Sequence, residues 1–139
     1  MNKKLIIYTD GGARGNPGPS GIGVVIYDAH KKPVKEFGRY IGEGTNNQAE
    51  YQAVIDALAA AEKLGAEEID FYLDSELVVM QLRGEYKVKN KDLGSLFVKV
   101  YNLTGKFKKI TYRHIRREEN RAADRLVNQA LDAAMTSGK

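Results

Sequence analysis

This sequence predicts an α/β fold, a five-stranded mixed sheet flanked by helices, on three observations. Three strand-length apolar segments fall within the first 41 residues, joined by links too short for a crossover. Helical spacing then sets in near residue 45 and returns further along the chain. Two further strand-length segments each follow a helix, the pattern of a crossover to a parallel neighbour.

Residues 4–10 read as the first strand, 21–28 as the second and 34–41 as the third, with the turn cluster DAHKKP over 28–33. Short connections make these three an antiparallel meander. Thr45 with Gln48 three positions on is a capping-box signature, and Gly65 is the expected stop of the helix it opens. Residues 68–74 form a fourth strand, parallel to an earlier one. Ser75 caps a short helix that runs to Leu82 and ends near Gly84. The basic stretch KVKNKD leads to a helix over 91–103, and 108–114 form the fifth strand. A last helix, 121–134, is expected to be capped by Asn120 or a neighbour.

A chain of 139 residues with 42% hydrophobic content can bury one core, so residues 1–139 are expected to be a single domain. There is no cysteine, which excludes disulfides and thiolate metal sites and fits a cytoplasmic setting. No apolar run reaches the roughly 20 residues of a membrane span, and the N-terminal segment reads as the start of a strand rather than a signal peptide. A monomer is expected. The net charge of +4 is unevenly spread: residues 1–82 carry a net −4 and residues 83–125 a net +8. That division suits a cation held by one region and a polyanion held by the other, and equally a merely polarised surface.

Four carboxylates stand in costly places. Asp10 and Asp74 each end a strand, and on parallel neighbours they share the sheet edge where open α/β sheets bind ligands. Helix capping by Asp74 and Ser75 is the alternative. Glu50 heads the apolar stripe Ala53, Val54, Ala57, Leu58 and Ala61, on the core-facing side of its helix. The helix dipole favours an acid there by less than about 1 kcal/mol, too little to explain a buried carboxylate. Asp124 repeats the pattern with Val127, Leu131 and Ala134, although Arg121 and Arg125 offer it salt bridges. Converging carboxylates repel unless a cation sits among them. An all-oxygen set selects a hard divalent ion, Mg²⁺ or Mn²⁺, and two such ions serve an in-line phosphoryl transfer.

The segments YTDGGARGNPGPSGIG, GTNNQAEYQAVIDAL, FYLDSELVV and HIRREENRAADRLVNQAL, in this order, resemble ribonuclease H of type 1 over nearly the whole chain. The resemblance implies the ribonuclease H-like fold and endonucleolytic cleavage of the RNA strand of RNA–DNA hybrids, leaving 5′-phosphate and 3′-hydroxyl ends. It makes Asp10, Glu50, Asp74 and Asp124 metal-binding catalytic acids, served by two Mg²⁺ ions, and His114 a helper in proton transfer or product release. His30 has no role. It also implies hybrid contacts by Asn16, Thr45, Asn46 and Asn47, residue types that loops and caps use in any case. On this reading Lys87, Lys89 and Lys91, with Arg113, Arg116 and Arg117, hold the duplex by its phosphates.

The chain departs from the family in two places. It lacks the long, Trp-containing basic protrusion, for which RGEYKVKNKD is a brief substitute, as in the compact branch of the family. Position 76 is Glu where relatives carry Gln. Rival readings are a nuclease of the same superfold acting on double-stranded RNA or DNA, and a non-catalytic hybrid-binding module, which predicts a missing acid where none is missing. GGARGNPG is no phosphate-binding loop, because its spacing is wrong and no helix follows it.

Overall fold

The structure, a computed structural model, describes residues 3–137. Its strands are β1 (Lys4–Ala13), β2 (Gly18–Asp28), β3 (Pro33–Gly44), β4 (Glu68–Leu73) and β5 (Lys109–His114). The helices are α1 (Asn46–Lys63), α2 (Glu76–Leu82), α3 (Lys91–Thr104) and α4 (Arg121–Ser137), with a 3₁₀ turn at Arg117–Glu119. The sheet order is β3-β2-β1-β4-β5; β1, β2 and β3 are antiparallel, while β1, β4 and β5 are parallel. This is the mixed sheet that the meander and crossovers predict.

Alternation along the strands builds two apolar layers. Leu5, Ile7, Val24 and Ile26 face α1, whose stripe Ala53, Val54, Ala57, Leu58 and Ala61 is buried as its spacing requires. α3 packs against α1 on that side. Val25 and Tyr8 point to the other face, against Ala123 and Leu126 of α4. The capping box forms as expected: Gln48 N–H donates to the Thr45 hydroxyl at 3.1 Å, and Thr45 N–H to Gln48 Oε1 at 2.9 Å. Ser75 caps α2 and Asn90 caps α3, through bonds from Val78 N–H and Leu93 N–H.

Two boundaries differ from the sequence reading in ways that matter. β1 does not stop at Asp10 but pairs with β2 as far as Ala13↔Ser20. Glycines read as turn residues, yet their backbone groups complete a ladder as well as any others, and a covering helix favours the missing side chains. The last helix continues to Ser137, and Asn120 does not cap it through its side chain, whose Oδ1 has no hydrogen-bond partner. Between α2 and α3, residues 83–90 form a short link with no helix or strand, in keeping with the absent protrusion.

α4 lies close on the sheet because Gly23 and Gly38 are bare beneath it: a Cβ at Gly23 would overlap the Ala123 carbonyl, and one at Gly38 would lie 2.6 Å from the Leu126 carbonyl oxygen. Gly23→Ala is expected to lower unfolding stability by about 1–3 kcal/mol through overpacking, read from urea denaturation. Gly94→Ala in α3, where a Cβ meets nothing within 4 Å, is expected to raise it by up to about 1 kcal/mol.

Candidate metal centre

Parallel pairing between β1 and β4 runs from Lys4↔Glu68 to Tyr8↔Tyr72 and ends there. That last rung is reinforced by the stacked rings of Tyr8 and Tyr72, 4.9 Å apart. Beyond it the strands part. β1 stays tied to β2, with Asp10 opposite Gly23, while β4 ends at Leu73 and leaves Asp74 at its tip. The strand order reverses between β1 and β4, so this gap is the topological switch point of the sheet. Asp10 lies at the gap within β1, rather than at the end of the strand.

The other two acids arrive on helices, and a glycine beside Asp10 seats each of them. A Cβ at Gly11 would overlap the Ala49 carbonyl, so only a bare backbone lets α1 bring Glu50 against β1. Gly23, the cross-strand partner of Asp10, does the same for Ala123, the residue before Asp124. Tyr51, next to Glu50, donates its buried hydroxyl to Gln81 Oε1 at 2.7 Å and fixes α1 against α2, the helix that follows Asp74. Burial pushes the Tyr51 phenol up to about 12.

Asp10 (7% exposed), Glu50 (6%) and the half-buried Asp74 each present an oxygen, all within 4.8 Å of one another. Asp124 lines the same cavity, and its charge acts on Asp10. Burial, then the charges of Asp74 and Asp124, push Asp10 up to about 8 against the opposing Gly11 N–H, which donates to its Oδ1 at 3.0 Å. Burial, then Asp10 and Asp74, hold Glu50 well above the usual carboxylate range, with Gly11 N–H and Arg117 opposing. Glu50 Oε1 is buried without a hydrogen-bond partner. An unpartnered carboxylate oxygen among other acids, with no sulfur and no imidazole lining the cavity, fits a hard divalent cation.

The remaining candidates are dispersed. Asn46 and Asn47 line the cavity. Asn46 Oδ1 accepts from Ala13 N–H at 2.8 Å, and Asn46 N–H donates to Asn16 Oδ1 at 3.0 Å, so Asn16 and Asn46 lash the β1–β2 hairpin to the start of α1. Thr45 is the α1 cap. His114 is exposed at the end of β5, opposite Leu73, and does not line the cavity. Lys87 and Lys89 are exposed on the link into α3 and Lys91 on its first residue, away from the cavity wall.

Arg117, grouped by sequence with the duplex-holding basic residues, lines the acidic cavity. Asp124 takes neither Arg121 nor Arg125 as a salt-bridge partner, and Arg125 reaches towards Glu36 at 3.8 Å. Arg14 and Asn128 also line the cavity, and sequence reasoning missed both; Arg14 is paired with Asp132 at 2.8 Å, and Asn128 Nδ2 donates to the Asp124 carbonyl at 3.1 Å. Asn128 stands one helical turn after Asp124, a spacing that could have drawn attention to it.

The sequence matches a family model described as "Reverse transcriptase-like" over residues 8–130. A bifunctional protein of Mycobacterium tuberculosis is 47% identical over 135 residues, covering 96% of this chain and 37% of the relative. A ribonuclease HI of Halobacterium salinarum is 42% identical over 127 residues, covering 91% of this chain and 64% of the relative. The chain thus spans less than two thirds of the length of either protein. The solved structure of LC11-RNase H1 in complex with RNA/DNA hybrid superposes with a TM-score of 0.91 at 47% identity, covering 94% of this chain and 99% of that one.

The raised Asp10 carboxyl sets a pH dependence for the metal-free protein. Between its unfolded value, near 4, and about 8, the folded state holds a proton that the unfolded state releases, so stability falls as pH rises through that window. Urea unfolding in a chelator is expected to show this decline between about pH 5 and pH 8, and Asp10→Asn is expected to make it shallower, buried Glu50 contributing the rest.

Proposed function

The chain belongs to the ribonuclease H family, type 1, and on that premise we propose that residues 1–139 form one catalytic domain that hydrolyses the RNA strand of RNA–DNA hybrids. The observation that carries this reading is the convergence of Asp10, Glu50, Asp74 and Asp124 on one cavity, with Glu50 Oε1 buried and unpartnered. The hybrid bound to LC11-RNase H1, a relative of the same fold, supports the substrate class. A cysteine-free chain suits a reducing, cytoplasmic setting.

The four acids would hold the metal in this proposal, and at Asp10 and Glu50 its binding would compete with the protons that burial and crowding favour. Two Mg²⁺ or Mn²⁺ ions held there would supply an activated water at neutral pH and charge neutralisation at the leaving 3′ oxygen, and the reaction would leave a 5′-phosphate and a 3′-hydroxyl. Asn46 and Asn47 face the duplex from the cavity wall, and the Thr45 hydroxyl, an acceptor within the cap, still has its own proton to donate to a minor-groove acceptor. Asn16 holds Asn46 in place through its backbone. His114, at the tip of β5 beside the end of β4, assists proton transfer or product departure from outside the cavity. Glu76 is exposed in the first turn of α2, where the helix N-terminus favours a carboxylate, so the charge has a local role besides any effect on the RNA strand.

A strand-labelled cleavage assay on hybrid, RNA–RNA and DNA–DNA duplexes, with Mg²⁺ or a chelator, tests the proposal. Cleavage of only the RNA in the hybrid, lost on chelation, is the expected result; metal-dependent cleavage of the other duplexes to the same extent would refute hybrid specificity. Asp10→Asn is expected to lose nearly all activity while keeping the fold by circular dichroism, and full activity would remove Asp10 from the centre. Replacing Lys87, Lys89 and Lys91 by Gln is expected to weaken hybrid binding and to reduce the slope of log affinity against log salt by about one for each phosphate no longer neutralised. An unchanged slope would exclude these lysines from the interface.

A further inference from the structure

Beyond the last rung of the β1–β4 ladder, the next acceptor on β1 is the Thr9 carbonyl, where β4 no longer pairs. Asn120 takes the strand's place. Its Nδ2 donates to the Thr9 carbonyl at 2.8 Å and to Asp74 Oδ2 at 2.9 Å, and its own backbone carbonyl accepts from Asp124 N–H at 3.1 Å. Both side-chain partners are acceptors, so the amide can be oriented only one way; a flipped amide would set its oxygen against two others. One residue, 1% exposed, therefore touches the strand of Asp10, the carboxylate of Asp74 and the helix of Asp124.

We infer that Asn120 is a positioning residue of the metal centre: it spans the gap between β1 and β4 and holds the Asp74 carboxylate at a fixed place relative to Asp10. The inference rests on reading the acids as a divalent-metal site. A plain helix cap does not account for the geometry, because a cap works through its oxygen and Asn120 Oδ1 has no partner. A purely architectural role accounts for it poorly as well. A buried amide with an orphaned oxygen is a costly way to fill space, and it makes sense where the other end of the group has a carboxylate to orient.

Calorimetric titration of Mn²⁺ into the full chain separates these roles. The native protein is expected to bind Mn²⁺, and Asn120→Ala to bind it roughly 10–100-fold more weakly, the usual effect of losing such a supporting bond. Cleavage by the variant should fall at low metal and recover at high metal, with the KM for hybrid unchanged. A lower thermal midpoint with unchanged Mn²⁺ affinity would overturn the inference and leave Asn120 architectural. If the variant does not fold, NMR on the native protein decides: the Asn120 side-chain amide resonances should move with the Mg²⁺-binding midpoint, and their standing still while backbone amides near Asp10 and Glu50 move would overturn it. Failure of the native protein to bind Mn²⁺ at all would overturn the metal reading itself, and this inference with it.

Discussion

Carboxylates gathered in a poorly solvated gap repel one another, and everything around this centre acts to hold them there. No acid is placed by a long, adaptable loop. Asp10 is locked within a strand paired to β2, Asp74 stands at the tip of β4, and Glu50 and Asp124 sit near the starts of helices whose apolar stripes are pinned to opposite faces of the sheet. Relieving the repulsion by moving any one of them would mean unpacking a helix or opening a ladder, which costs more than the relief returns. The remaining relief is a proton or a cation, so the same crowding that raises Asp10 and Glu50 also makes a divalent ion the natural occupant.

The strand parting that creates the gap is itself built from small, local choices. Tyr8 and Tyr72 stack on the last shared rung, so the ladder ends on a strong pair rather than fraying. Gly11 and Gly23 flank Asp10 along and across the strand, and each admits the backbone just ahead of another acid. Bare backbone at two points is what allows charges from both layers of the fold to meet at one edge. Glycine weakens strands, and here that weakness is offset by helices packed directly against them.

Charge is partitioned accordingly. The acidic portion of the chain supplies three of the four acids of the crevice, and the basic portion supplies the exposed lysines of the link into α3. Separating the two keeps cations that would neutralise the crevice at a distance from it, while leaving them free to meet a polyanion. Within the basic portion, Arg117 is the exception. It lines the crevice and opposes the rise of Glu50, yet two buried acids remain shifted, so one exposed guanidinium does not satisfy the site.

Periodicity and capping are local properties, so the sequence alone determined the strands, the helix starts at Thr45 and Ser75, and the stripe that buries Glu50. Apolar stripes headed by an acid drew attention to Glu50 and Asp124, and strand ends to Asp10 and Asp74, although Asp10 lies within β1. The run after Asp10 was not legible in the same way, because glycine's preference for turns is local while the ladder that extends β1 is made by β2 and α4. Nor does sequence separate Arg117 from its basic neighbours, or reveal what Asn120 touches. That residue lies between a 3₁₀ turn and a helix where no period applies, and its partners, Thr9 and Asp74, are distant in the chain. Which polar side chain bridges which gap depends on three-dimensional distance, and only the packed sheet and helices decide it.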